Sequence, residues 1–281
     1  MKIGILGCGQ MGEIILKGLL SLSFQSIEDI YATTLLKDHV RELENRYPGL
    51  KVTRDNLVAA KNSNVLILSV QPSNAQEVLS SIREELRGKL LISICTGVTL
   101  AQLEEWANAP GQSGQVEIVR AMPNTPCVIG EGTIVLTARP EVSDETMTRA
   151  RSLFEQLGRT HVLDERHFDV VTALSAAGPA FAFMILEALA DGAVMMGLPR
   201  QEAREISAQM FQGAARLLLQ SARHPAALKD EVTTPGGCTI AGLLIMEEGR
   251  IRSTLAKTIQ EATTVASRLG QDCDTCRLDQ Y

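Results

Sequence analysis

Met1-Lys2-Ile3-Gly4-Ile5-Leu6-Gly7-Cys8-Gly9-Gln10-Met11-Gly12 is the stretch whose reading decides the fold. Residues 3–6 read as a short buried strand, three glycines follow at once in the spacing Gly-x-Gly-x-x-Gly, and an amphipathic run fills 13–22. In a strand-turn-helix setting the first glycine makes the tight turn, the second lets backbone approach a pyrophosphate, and the third lets helix and strand pack closely. The N–H groups that open the helix then face the phosphates of a dinucleotide. Gly7, Cys8, Gly9, Gln10, Met11 and Gly12 are therefore the first candidate cofactor residues.

Outward from this unit, apolar β-rich runs recur at 30–33, 65–70, 90–94 and 116–121, and a stretch of helical period fills 73–86. Strands alternating with helices imply a parallel sheet wrapped on both faces. A strand at 131–137, a helix at 143–157 capped by Ser143 and a last strand at 159–162 complete the unit. After His161 the alternation stops, and the chain reads as helices punctuated by Gly178-Pro179, Gly197-Leu198-Pro199, His224-Pro225 and Pro235-Gly236-Gly237. The expected fold class is α/β, with an N-terminal doubly wound (Rossmann) parallel sheet over 1–162 that binds NADP. A C-terminal all-α domain over 163–281 is expected to serve dimerisation and substrate binding. Residues 181–196 and 206–219 carry Ala, Leu, Ile and Met on more than one face, more apolar surface than the remaining chain can cover, so a second copy should cover it.

Of the 281 residues, 45% are hydrophobic and 21% charged, the balance of a soluble protein with a real core. A net charge of −6 without a basic run excludes a nucleic-acid partner. The opening apolar stretch is too short for a secretory signal, so a cytoplasmic protein is expected. The longest nearly uncharged stretch, 170–186, falls short of the roughly 20 apolar residues of a bilayer span and is interrupted by Gly178-Pro179. It reads as a helix buried on most sides, with no membrane partner. The cysteines at 8, 95, 127, 238, 273 and 276 are scattered and read as reduced thiols. Cys273-x-x-Cys276 lacks the second pair a zinc needs; it reads as a tail dithiol, and no metal site is expected.

Cofactor choice turns on the end of the second strand, Ala32-Thr33-Thr34-Leu35-Leu36-Lys37. No carboxylate stands there to hold a ribose 2′-hydroxyl, whereas Thr33, Thr34 and Lys37 can meet a 2′-phosphate, so NADPH is favoured over NADH. Asp29 lies before that strand and points the wrong way; Arg54 and Asn56 are candidates for contacts at the adenosine end. A second glycine turn, Thr233-Thr234-Pro235-Gly236-Gly237-Cys238-Thr239-Ile240, precedes an apolar helical run and suits a small carboxylate at a helix N-terminus. A chain that holds a nucleotide first and a small carboxylate last reads as a two-substrate oxidoreductase.

Together these motifs resemble the pyrroline-5-carboxylate reductase family over nearly the whole chain, to about residue 270. The resemblance rests on the glycine loop, Val70-Gln71-Pro72, Ser93-Ile94-Cys95-Thr96-Gly97-Val98, Arg120-Ala121-Met122-Pro123-Asn124-Thr125-Pro126, Gly178-Pro179-Ala180-Phe181, Ala190-Asp191-Gly192, Met196-Gly197-Leu198-Pro199 and the run from His224-Pro225 to Gly242. It implies reduction of the cyclic imine 1-pyrroline-5-carboxylate to L-proline with NADPH, often with NADH as well. It also implies an interlocked helical dimer and larger rings, a decamer among them. By motif position, Thr34 and Asn56 resemble adenosine-ribose contacts, and Ser69, Val70, Gln71, Pro72, Cys95, Thr96 and Gly97 backbone contacts to the cofactor. Met122 and Asn124 fall to the cofactor as well, and Val232, Thr234, Gly237 and Thr239 to the substrate. The chain departs at Gln71, where the family usually has lysine, and at Ala176-Ala177, where it usually has Gly-Ser.

A protonated imine accepts hydride without a new oxyanion, so no strong acid is needed, and the histidines at 39, 161, 167 and 224 read as surface or cap residues. The substrate carboxylate is expected on the N–H groups of Gly236, Gly237 and Thr239. Thr239 Oγ is the candidate catalytic group, bonded to the ring nitrogen; its alternative is a helix N-cap. Cys238 reads as a small packed residue. A β-hydroxyacid dehydrogenase would need a lysine that 178–188 lacks. A catalytically altered NADP-binding paralogue and a reductase of six-membered imino acids are the other readings that the departures permit.

Overall fold

The computed structural model describes residues 1–21, 25–109 and 116–269; Cys273 and Cys276 lie outside them. In chain order the elements are β1 (Ile3–Leu6), α1 (Gln10–Ser21), β2 (Ile30–Thr33), α2 (Lys37–Arg46), β3 (Lys51–Thr53), α3 (Asn56–Lys61), β4 (Val65–Leu68), α4 (Ala75–Ile82), β5 (Leu90–Ser93) and α5 (Leu100–Ala107). Then come β6 (Glu117–Met122), β7 (Gly132–Ala138), α6 (Asp144–Glu155), β8 (Gly158–Val162), α7 (Phe168–Val171), a π-helical turn (Thr172–Ala176), α8 (Gly178–Met195), α9 (Arg200–Ser221), α10 (Pro225–Val232), α11 (Cys238–Glu248) and α12 (Ile251–Leu269).

The described strands form one sheet in the order β3-β2-β1-β4-β5-β6-β7-β8. Every pairing is parallel except β6 with β7, an antiparallel step absent from the sequence reading. Because successive strand residues face opposite sides, Ile3, Ile5, Val65, Ile67 and Ile92 point to one face, where they pack with Leu16 and Leu19 of α1 and Phe154 of α6. Leu66, Leu68 and Leu91 point to the other, against Leu79 of α4 and Trp106 of α5. Both faces are thus dry, as an all-apolar strand requires, and each fully buried Ile or Leu contributes about 1.5–3 kcal/mol. The strand order reverses between β1 and β4, so the loops after those two strands open a crevice at the carboxyl edge.

Local chemistry sets the helix starts. Ser143 caps α6 by accepting the Thr146 N–H at 3.1 Å, as the sequence predicts, and Thr99 with Gln102 forms a capping box on α5. The 73–86 stretch is α4 flanked by 3-10 turns at Pro72–Asn74 and Arg83–Leu86. β3 escapes sequence reading because it is three half-exposed residues at the sheet edge; α2, one of the helical stretches expected between strands, forms although it buries only Leu43.

The described residues divide into two compact units, 1–177 with 262–269, and Gly178–Glu261. Within the second, α8 and α9 together bury only Ala190, Ala203 and Ser207. The stretch read as a short helix, interrupted at Gly178-Pro179 and buried on most sides, is otherwise. Glu165–Met195 is one helical run of 31 residues, apolar and long enough by length and composition to cross a membrane, yet only 6% of its most apolar window is buried by the chain. Pro179 does not break it because the π-helical turn precedes it and the Ser175 carbonyl, four residues back, accepts the Asn124 Nδ2–H instead.

Candidate active site

Each glycine of the first turn does a different job. Gly7 has φ +86, and a Cβ there would meet Val70 Cγ1 at 2.6 Å and Ser69 O at 2.9 Å. Gly12 has no room either, since its Cβ would lie 2.9 Å from Gly7 O and 3.2 Å from Ile5 Cγ2, so this glycine sets the α1-to-β1 packing. Gly9 is the opposite case: nothing lies within 4 Å of where its Cβ would be. A side chain there would fill the space a pyrophosphate needs. Cys8 N donates to Thr33 O at 2.6 Å and Gly9 N to Gly7 O at 2.8 Å, which leaves the N–H groups of Gln10, Met11 and Gly12, the first of α1, to face an anion. The Cys8 side chain is fully buried; burial first, then the Glu13 charge, push its thiol up to about 12, so it stays protonated.

At the end of β2, Thr33 is committed inward. Its Oγ1 accepts the Gly7 N–H at 2.9 Å and donates to Asn56 Oδ1 at 2.6 Å. Thr34 is 9% exposed, with Oγ1 3.0 Å from His39 Nδ1, a contact that the surface-or-cap reading of His39 missed. Arg54 Nε donates to Leu35 O at 2.9 Å, laying its side chain along the same bend. Asp29 sits in a single turn before β2, where its carboxylate accepts from Gln25 Nε2. His224 is a cap, accepting the Ala226 N–H on Nδ1 at 3.2 Å.

Along the carboxyl edge, Met11, Ser69, Val70, Pro72, Cys95, Thr96 and Met122 line one cavity of about 200 Å³. The sequence brought all seven to this site by motif; Ile94 and Pro123, inside those motifs, and Ala176, from the π-helical turn, share the wall. Cys95 Sγ donates to Val70 O at 3.4 Å, tying the β5 loop to the β4 loop. Gln71 opens the Pro72–Asn74 turn and is exposed, and Gly97 takes φ +79. Asn124 differs from its neighbours. Its Oδ1 accepts the Thr133 N–H at 2.9 Å and its Nδ2 donates to Ser175 O at 3.2 Å, so it fastens the cavity wall to the π-helical turn. The sequence marks Ala176 as a departure from the family's usual glycine, but nothing in it marks the π-helical turn, which keeps helical composition.

The second glycine turn is held by Gly237 N donating to Thr234 O at 3.1 Å, with Gly236 at φ +67. That bond takes one of the expected carboxylate donors. Gly237 is the N-cap of α11 and brings no side-chain bond, so the capping alternative for Thr239 is set aside: Thr239 stands at the second helical position. The first-turn N–H groups of Cys238, Thr239 and Ile240 have no intrahelical acceptor. Cys238 is exposed rather than packed. Val232 is 67% exposed at the end of α10 and Thr234 is also exposed.

A doubly wound sheet, a glycine cradle at its switch point and a β2 end without a carboxylate define a nicotinamide-dinucleotide oxidoreductase. The family model described as pyrroline-5-carboxylate reductase dimerisation matches residues 165–269, and that described as NADP oxidoreductase coenzyme F420-dependent matches 2–97. The pyrroline-5-carboxylate reductase of Lophium arboricola is 38% identical, aligned over 96% of this chain and 94% of its own length; that of Schizosaccharomyces pombe is 36% identical over 95% and 98%. Among solved structures, Plasmodium falciparum pyrroline carboxylate reductase with NADP bound gives a TM-score of 0.86 at 28% identity, covering 96% of this chain and 98% of that one. The Coxiella burnetii pyrroline-5-carboxylate reductase gives 0.84 at 30%, covering 95% and 98%. The chain belongs to the pyrroline-5-carboxylate reductase family. The open apolar faces of α8, α9 and α11 fall inside the matched dimerisation region, through which the chain self-associates.

Proposed function

We propose that this protein reduces 1-pyrroline-5-carboxylate to L-proline with NADPH as the preferred donor and NADH as a weaker one. The observation that carries the reading is the match to reductases of this substrate over 96% of the chain. The open space over Gly9 suits the cofactor independently. NADPH, when bound, supplies the hydride. The residues at 1–162 hold it: the α1 N–H groups take the pyrophosphate, Thr34 and Asn56 the adenosine ribose, and the cavity walled by Met122 and Thr96 the nicotinamide end.

Residues 163–281 then bind substrate and pair the subunits. The substrate carboxylate sits on the N–H groups that open α11, and Thr239 Oγ bonds the ring nitrogen, accepting from the iminium before transfer and from the amine after it. Holding the two reactants in line accounts for most of the acceleration, since orientation alone is worth about 7–11 kcal/mol in favourable cases. Ala176 adds a methyl to the cavity wall, which favours a five-membered over a six-membered ring. Assembly beyond the dimer, to a decamer, and a cytoplasmic location belong to the same reading.

The test is the rate of NADPH oxidation against a panel of five- and six-membered cyclic imino acids. Highest kcat/KM on pyrroline-5-carboxylate is expected. Turnover of none of them, with tight NADP+ binding, would make the chain an altered NADP-binding paralogue.

A further inference from the structure

In a doubly wound fold the ribose 2′ substituent lies at the carboxyl end of the second strand. Three basic side chains gather there: Lys37 opens α2, His39 follows in its first turn, and Arg54 bonds to Leu35 O at 2.9 Å. The N-cap of α2 is Leu36, which offers the helix no side-chain oxygen. Asp55 is occupied in capping α3, accepting the Leu57 N–H at 2.8 Å, and Asp38 is exposed on the α2 opening turn. Thr33 has its hydroxyl fully used between Gly7 and Asn56. Thr34, 3.0 Å from His39 Nδ1, offers a hydroxyl at this end of the strand.

A phosphate accepts hydrogen bonds and gives none, whereas a ribose hydroxyl does both. Thr34 can serve a phosphate only if its proton points outward; an Nδ1 lone pair 3.0 Å behind it would draw that proton inward, whereas an Nδ1–H leaves it outward. We propose that His39 is the positioning residue behind the NADPH preference: it donates Nδ1–H to Thr34 Oγ1 and so fixes the Thr34 hydroxyl as a donor to the 2′-phosphate. The inference rests on the cofactor assignment made above. His39 acts through Thr34, with Lys37 and Arg54 supplying the charge.

The experiment is direct titration of NADP+ and of NAD+ into the full-length protein, comparing wild type with His39→Leu, His39→Gln, Thr34→Val and the double variant Thr34→Val/His39→Leu. The NADP+ to NAD+ affinity ratio should fall about tenfold in His39→Leu, the size of one hydrogen bond to a charged group. His39→Gln, which keeps a donor, should recover most of it, and on the Thr34→Val background His39→Leu should change the ratio less than twofold. A common folding defect weakens both nucleotides and leaves the ratio alone. The inference is overturned by an unchanged ratio in His39→Leu, by an undiminished effect on the Thr34→Val background, or by a wild type that binds NAD+ as tightly as NADP+. A wild type that prefers NADP+ yet reduces no cyclic imino acid contradicts the proposed reaction instead, and the ratio test still decides the role of His39.

Discussion

In the sheet unit Ile3, Ile5, Leu66 and Ile67 are completely buried by the chain's own helices, whereas in Gly178–Glu261 Met184 stays 74% exposed, Met195 81% and Ile245 66%. The same residue types meet opposite fates. One unit closes its core with one chain and offers a crevice for a nucleotide; the other holds its apolar faces open for a second copy. The cofactor site should therefore answer to local backbone geometry, and the substrate half to assembly.

The sharpest way to break this contrast is at the open faces. Leu244→Asp/Ile245→Asp on α11 should abolish self-association and turnover, because two charges buried between subunits cost far more than an interface tolerates. Sedimentation velocity should show monomer or aggregate; an active dimer would mean that α11 is not covered by the partner. Next comes Gly9→Ala, whose Cβ meets no atom within 4 Å in the folded chain and which should leave thermal stability within about 0.5 kcal/mol. Its NADPH affinity should nevertheless fall at least 100-fold. Unaltered nucleotide binding would move the pyrophosphate elsewhere.

Thr239→Val probes the helical side of the comparison. It should lower kcat/KM more than tenfold, about 1.4 kcal/mol of transition-state binding, while leaving the NADPH Kd as it was; full activity would strip Thr239 of its catalytic role. Ser143→Ala, by contrast, removes a cap on α6, no residue of which lines the cofactor cavity, and should cost about 1 kcal/mol of stability with both KM values unmoved. A shift in either KM would show that α6 reaches the site.

The smallest effect is electrostatic. Burial raises the Glu13 pKa, but hydrogen bonds from Arg46 and Tyr47 and the Lys17 charge outweigh it and hold the carboxyl below the ordinary glutamate range. A folded-state pKa below the unfolded value gives stability that is fully present above about pH 4.3 and is lost as pH falls through the folded value. Wild type should accordingly lose stability on acidification more steeply than Glu13→Gln; parallel acid limbs in thermal melts would remove Glu13 from the account.

The same contrast governs how much was legible in the sequence. The glycine loop, the apolar strands and the Ser143 cap act through backbone and near neighbours, so residue type and spacing convey them. β3 was silent because three half-exposed residues leave no period. In the helical unit the positions of α8 and α9 were visible, and so was their surplus of apolar surface; only the stretch 170–186, expected to be buried on most sides, is left open by the chain. At the site, Ser69, Cys95 and Met122, which the family resemblance assigns to the cofactor, line one cavity. Asn124 as a wall fastening and His39 beside Thr34 were hidden, because each depends on a contact between separate segments; Ala176 was marked only as a departure from the family's glycine, not as part of a π-helical turn. Gly237 as a cap, with Cys238 exposed beside it, likewise needed the actual turn.

The most direct test is a crystal structure with NADP+ and an unreactive five-membered cyclic amino acid bound together. The carboxylate should rest on the Cys238 and Thr239 N–H groups, with the ring nitrogen at Thr239 Oγ and the ring face against nicotinamide C4. Nucleotide and amino acid found in separate cavities, beyond reach of one another, would contradict the account.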